Sequence, residues 1–259
     1  METFAEYILN EKNLASKMEI MYYLARKSKI FFDKSTVFKT EIARLFVGSV
    51  PLEIDQNQVL TACLLCNCKK VEISQNLDEL KSYAKHGAEY LFSIGFDKTF
   101  CKICEEVNRY SNSHPREKEG DILELVDQFG GMLLDRPERI GLSVEEALVL
   151  LEYRNLKDCF NRYLHPFIDF VREIESIIVS EEGEITPLQE LIKLFRETPD
   201  EKHFITAVTY EYEPKIDKIL RQTGSVDPTK NEGMLEEGNP NRALFSEETT
   251  KKIIGHLVP

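Results

Sequence analysis

Most of the signatures that would announce an activity are missing from this sequence. No apolar run approaches the roughly 20 residues that cross a bilayer, so a membrane-spanning helix is not expected. No basic tract is longer than RKSK (26–29), and the formal charge is −12; with so few clustered cations to neutralise phosphates, nucleic acid is not the expected main partner. A small anionic nucleotide, which needs only a few local cations, stays open. Six cysteines in 259 residues are too sparse for a disulfide scaffold and are expected as thiols in a reducing compartment. The opening METFAEYILNEKNLASK lacks the basic, apolar and small-residue succession of a signal peptide, so the expected location is cytoplasmic.

Short catalytic motifs are absent too. There is no HExxH or HxH, no GxSxG, no phosphate-cradling GxxxxGK[ST] and no GxGxxG. None of the five histidines, His86, His114, His165, His203 and His256, has another three or four residues away, the spacing that would set two on one helical face. No cofactor is implied.

What is present is helical pattern. Hydrophobic residues make up 42% and charged residues 30%, an ordinary balance for a globular chain of one large domain, with or without an extension. LASKMEIMYYLARKSKIFF (14–32), EIARLFVGSV, QVLTACLL, HGAEYLFSI and FCKICEEVNRY carry apolar side chains at steps of three and four. ITAVTYEYE (205–213) is the main candidate strand and stands alone, without a partner to pair with. Ser143 with Glu146 forms a capping box, and TPLQ from Thr186 and TPDE from Thr198 place Thr at a cap with Pro in the first turn. GSVDPTKNEGMLEEGNPNR (224–242) reads as a loop before a last helix opening at Ser246. Gly130 and Gly131 lie inside a helical pattern, where two small residues imply close packing.

Cys63 and Cys66 are three apart, as are Cys101 and Cys104, and two CxxC pairs are raw material for a four-thiolate zinc site. Both pairs lie in apolar helical pattern, which equally fits thiols packed as small hydrophobes.

Residues 121–151, DILELVDQFGGMLLDRPERIGLSVEEALVLL, resemble the segment after the active site of HD-GYP proteins, the bacterial branch of the HD superfamily that hydrolyses cyclic di-GMP. That family has a helix carrying VAD, a DRPYR-like turn and LSPEEAL opening the next helix. Here Val126 and Asp127, Asp135 to Arg139, and Leu142 to Leu148 stand in those places. Upstream, LTACLLCNCKK is similar to the helix ending LLHDIGK, with Cys66 for its His, Asn67 for its Asp and Lys70 for its Lys. HGAEYL (86–91) resembles GAEIL and sets Tyr83 at a ligand His, EEVNRY sets Glu106 and Val107 at two more, and Lys39 stands where a first His is usual.

The resemblance implies an all-α, HD-domain-like helical bundle: N-terminal helices packing on the core (1–34), a degenerate HD-GYP-like domain (35–155) and a helical C-terminal extension (156–259), with its closing helix at 160–174 or at 245–257. It also implies loss of the family's chemistry, because Lys39, Cys66, Asn67, Tyr83, Glu106 and Val107 replace the ligands of its two or three metal ions and Asp127 alone remains. Lys39 is expected to pair with Asp127 or Glu106 and supply the missing positive charge. The expected role is non-catalytic: binding a protein partner, such as a diguanylate cyclase domain, or a cyclic dinucleotide. Arg109, Arg116, Lys118, Arg136 and Arg139 are then candidate phosphate contacts. Two alternatives stand beside this. One is a phosphodiesterase with ligands relocated to Cys66, Glu106 and Asp127, with His86 or His114; the other is a structural zinc protein through Cys63, Cys66, Cys101 and Cys104.

Overall fold

The computed structural model describes residues 3–28, 30–70, 82–107, 116–136, 139–158 (backbone alone for the last three), 161–180 and 183–225. The loop expected at 224–242 beyond its first two residues, the helix at Ser246, Arg109 and His114 lie outside them. The described residues form an all-α structure. Its elements are α1 (Phe4–Asn10), α2 (Leu14–Lys27), α3 (Lys34–Ser49), α4 (Gln56–Leu65), α5 (Tyr83–Ser93), α6 (Lys98–Glu105), α7 (Lys118–Leu133), α8 (Val144–Asp158), α9 (Leu164–Glu175), α10 (Pro187–Glu197), α11 (Glu201–Ala207), a π turn (Val208–Tyr212) and α12 (Glu213–Thr223).

Helix starts follow the local chemistry. Asp33, Asp55 and Asp97 each cap a helix by accepting from a backbone N–H two or three residues on, and Thr186 and Gln189 form a reciprocal capping box. Ser143 and Glu146 do the same: the Ser143 N–H donates to Glu146 Oε2 at 2.9 Å and the Glu146 N–H to Ser143 Oγ at 3.4 Å. The TPDE cap is shifted. Thr198 closes α10, bonding back to the Leu194 carbonyl, and Asp200 opens α11 by accepting from the His203 N–H.

The expected strand at 205–213 is instead the end of α11, the π turn and the start of α12. A lone strand would leave its backbone groups without a ladder, whereas a helix satisfies them within the segment. Phe204, Val208, Tyr212, Ile216 and Leu220 are all buried at steps of four. In a straight α-helix that series drifts by about 40° per step; the wider π turn takes up part of the drift and keeps the row on the core. β-Branched and aromatic residues at 205–212 had imitated a strand.

One continuous buried cluster runs from Phe4 to Leu220, so the N-terminal helices and those after 160 share a core with the rest. α3 is its axis, packed against α4, α7, α9, α10 and α11. Twelve consecutive residues from Thr36 to Val47 are buried, which leaves α3 no solvent face. Phe46 meets Phe167 and Phe170 at ring-centroid distances of 5.1 and 5.3 Å, and Phe129 meets Phe167 at 5.3 Å. Each such ring contributes on the order of 2–3 kcal/mol by leaving water. Lys34 ties the start of α3 to the carbonyls of Phe195 and Thr198, both at 2.8 Å, so α3 and the end of α10 are fixed together.

Burying α3 on all sides forces its polar residues inward. Thr40 bonds back to the Thr36 carbonyl. Lys39, Glu41 and Arg44 need partners from other helices, and finding them determines two interior charge clusters.

A separate buried cation lies between α2 and α4. Lys17 donates to Asn57 Oδ1 at 2.6 Å and to Thr61 Oγ1, and no carboxylate pairs with it among the described residues. Burial pushes its ammonium down to about 7, against the pull of Glu11 and Asp55. The unfolded chain holds that proton to about pH 10.5, so between these values it binds more protons than the folded one, and stability rises with pH. Measured by urea denaturation between about pH 7 and about pH 8, below the range in which the thiols of the unfolded chain titrate, the slope of stability against pH should be more positive for the parent than for Lys17→Met.

Candidate functional site

α4 ends at Leu65, and residues 66–69 form a turn held by the N–H of Cys68 on the Leu65 carbonyl and that of Lys70 on the Asn67 carbonyl. The Phe31 N–H bonds the Cys68 carbonyl at 2.9 Å and anchors the turn. It thereby presents Asn67 to α7, where the Asn67 Nδ2 donates to Asp127 Oδ1 at 3.2 Å. From α3, Lys39 Nζ reaches the same oxygen at 2.6 Å. Lys39, Asn67 and Asp127 are therefore joined, in the pairing expected for Lys39.

The two glycines of α7 make the approach possible. A Cβ on Gly130 would stand 2.8 Å from the Lys39 Cγ, and one on Gly131 3.0 Å from an Arg136 guanidinium nitrogen and 3.9 Å from Lys39 Nζ. Gly130–Gly131 is thus a saddle over which Lys39 and Arg136 pass. Their charged nitrogens are less than about 7 Å apart, the sum of those last two distances.

Lys70 enters from the turn after α4, its Nζ 5.6 Å from the centre of the Tyr83 ring, whose side chain is buried at the start of α5. Burial lowers the Lys70 ammonium's pKa, the neighbouring Lys39 lowers it further and so does Arg136, while Asp127 pulls the other way. Burial alone would raise Asp127; Lys39, then Lys70 and the hydrogen bonds from Lys39 and Asn67, outweigh that and hold its carboxyl at about 2. Two ammonium groups, Lys39 and Lys70, act on this one carboxylate, and the Arg136 guanidinium lies near both of them. Asn67 Oδ1 is buried and receives no hydrogen bond from the described residues.

The thiols lining the region are inert packing groups. Cys63, Cys66 and Cys104 are raised above the ordinary thiol range, chiefly by burial, and Cys101 is pushed up to about 11 by burial and Asp97. The Cys66, Cys68 and Cys101 thiols point at backbone carbonyls at 3.7–3.9 Å. Among the described residues no three His, Cys, Asp or Glu side chains gather where they could hold a metal ion, so the four-thiolate zinc site of Cys63, Cys66, Cys101 and Cys104 is not formed.

Other expected positions separate. Glu106 closes α6 and packs on Gly120 at the start of α7, accepting from the Glu117 N–H at 2.9 Å, with Lys102 3.8 Å away. Burial pushes its carboxyl up to about 7. Asp127 lies seven residues further along α7, a rise of about 10 Å, so Glu106 does not join it. Val107 is buried in the apolar core and His86 is exposed on α5. The relocated set Cys66, Glu106, Asp127 and His86 is therefore not assembled.

Of the proposed phosphate contacts, Arg116 is a buried structural cation, paired with Glu124 and 3.9 Å from Asp121, which Arg162 also holds at 2.6 Å. Arg139 caps α7, donating to the Met132 carbonyl at 3.0 Å and the Gly131 carbonyl at 2.5 Å. Lys118 pairs with exposed Glu53 at 3.8 Å. Arg136 alone of the described ones turns toward Lys39. Lys70, seen in the sequence only as matching a family lysine, belongs beside it.

On the Arg44 side of α3, the guanidinium bonds Glu41 at 2.7 and 2.8 Å and Asp217 of α12 at 2.9 Å, with Glu213 at 3.9 Å. Burial raises the Glu41 carboxyl, Arg44 opposes this, and Glu213 and Asp217 add to the rise. Nothing in the sequence spacing linked residue 44 to residues 213 and 217. A groove of about 620 Å³ between the end of α7, the start of α8 and α10 mixes Lys193 and Arg196 with Glu145, Glu175 and Glu197, and no one charge sign prevails.

No protein-family model matches the chain, and no curated protein or solved structure matches it. No helix among the described residues is long and apolar enough to cross a membrane.

Proposed function

We propose that the chain is a non-catalytic, HD-GYP-like signalling or scaffolding protein that acts in a bacterial cytosol by binding a partner protein or a nucleotide such as cyclic di-GMP. The observation that carries this reading is the 2.6 Å contact between Lys39 and Asp127. HD-GYP chemistry needs metal ions held by imidazoles and carboxylates around a bridging hydroxide. At the positions that the resemblance assigns to those ligands, the donors do not suit such ions. An ammonium is bonded to Asp127, the Asn67 amide is neutral and donates to the same oxygen, Val107 has no donor atom, and Glu106 is engaged elsewhere. The resemblance suggests a diguanylate cyclase domain as the kind of protein partner, and the all-α architecture is compatible with an HD-like bundle.

Metal analysis of the purified chain, alongside incubation with cyclic di-GMP and added Mn²⁺ or Fe²⁺, tests the reading. Transition metal should be substoichiometric and the dinucleotide should stay intact. Two ions per chain accompanied by linear product would sink it.

A further inference from the structure

We infer that Lys39 and Arg136, which meet over the Gly130–Gly131 saddle, together with Lys70 close enough to feel both charges, form a binding niche for the phosphate group of a small phosphate ester. The inference deepens the non-catalytic reading by naming the ligand chemistry and the residues. It departs from the sequence expectation, since Arg116, Lys118 and Arg139 are already committed to other partners.

The first support is geometric. Lys39 Nζ and the Arg136 guanidinium nitrogen both lie within 4 Å of one point above Gly131 and so less than about 7 Å apart. A phosphate spans that distance, because its oxygens are about 2.5 Å apart and each accepts a charge-assisted hydrogen bond of about 2.8 Å. A Cβ at residue 131 would press on the Arg136 guanidinium at 3.0 Å, so it is the glycine that lets the two cations come this close.

The second is the imbalance of charge and hydrogen bonding. Lys39 is bonded to Asp127, but the Lys70 ammonium faces a tyrosine ring and two other cations, and no acceptor is bonded to it among the described residues. The exposed Arg136 guanidinium has no carboxylate partner among them, and the residue is held by a reciprocal pair of backbone hydrogen bonds with Arg139. Like charges brought together without enough counter-charge are unfavourable at several ångströms in a partly desolvated site, and an anion relieves all three at once. The third is Asn67, 4% exposed: its amide nitrogen donates to the Asp127 oxygen that Lys39 also holds, and its Oδ1 receives no hydrogen bond from the described residues, which leaves one unmatched acceptor next to the Lys39–Asp127 contact. Arg136 supplies the fork and the route in from solvent, and Lys39 and Lys70 supply point charges from below.

Titration calorimetry and thermal shift on the full chain at low salt test this with pyrophosphate, GMP and cyclic di-GMP as probes. At least one should bind saturably and raise Tm. Arg136→Gln, at an exposed side chain and so compatible with folding, should weaken that binding at least about tenfold, as should Lys70→Ala, while Lys193→Ala on α10 should leave it unchanged. The proposal fails if none of the three binds, or if Arg136→Gln, folded with unaltered Tm, binds as the parent does. Chromatography of the same cyclic di-GMP samples separates the two readings: binding with hydrolysis overturns the non-catalytic role and keeps the niche, whereas intact cyclic di-GMP with no binding of any of the three probes overturns the niche alone.

Discussion

Arg44→Met should lower the unfolding free energy by about 3–5 kcal/mol, with a fall in Tm of roughly 10 °C. The guanidinium holds Glu41 from its own helix and Asp217 from α12, with Glu213 near, and all of these are buried or nearly so. Removing it leaves carboxyl groups in the interior without a counter-charge, each retaining its desolvation penalty. Much of the loss should fall on the docking of α12, because Arg44 is the ionic link between α3 and that helix. Glu41→Gln provides the contrast. Burial already favours the neutral form of this carboxyl, and glutamine keeps an acceptor for Arg44, so the change should cost less than about 1.5 kcal/mol. Equal losses in the two variants, measured by guanidinium denaturation with unchanged slope, would show that the cluster contributes packing rather than charge pairing.

The contrast between Arg44 and Lys39 also explains what could be seen in the sequence. Helices were legible because their signals are local: apolar steps of three and four, and caps such as Ser143–Glu146 and Thr186–Gln189. The exceptions were also local. Thr198 and Asp200 both suit a cap, and only the bond from Thr198 to the Leu194 carbonyl decides which helix each serves. The segment 205–213 is rich in strand formers, but the burial of Phe204 to Leu220 in one row outweighs that preference. Lys39 and Asp127 could be matched beforehand because a known family supplied two positions that meet. No such template linked Arg44 to residues 213 and 217, which are about 170 positions away, and composition says nothing about contacts at that separation. Gly130–Gly131 was legible as close packing, but the sequence did not say that the close neighbours would be Lys39 and Arg136. The errors among the phosphate candidates share a cause: an arginine reads as surface charge until its partners are known, and Glu124 and the Gly131 carbonyl claim Arg116 and Arg139.

Lys39→Met should destabilise the fold by about 2–3 kcal/mol near pH 7, less than for a fully enclosed pair because the Asp127 side chain is 20% exposed and Lys70 remains as a second cation. The double variant Lys39→Met with Asp127→Asn removes the charge along with its partner and should recover most of the loss. The pH dependence distinguishes this account from one based on packing. Asp127 is held at about 2 in the folded chain against an ordinary 3.8, so it contributes stability that is present above about pH 4 and lost as pH falls toward 2. Without Lys39 its carboxyl rises, protonation relieves the unpaired charge, and the deficit relative to the parent should shrink as the solution is acidified from pH 7 to about pH 4. A deficit that stays constant over that range, or a double variant no more stable than Lys39→Met, would mean that the ammonium's aliphatic stem over Gly130 matters more than its charge. In that case Asp127 would lose its place as the counter-ion around which the niche is arranged.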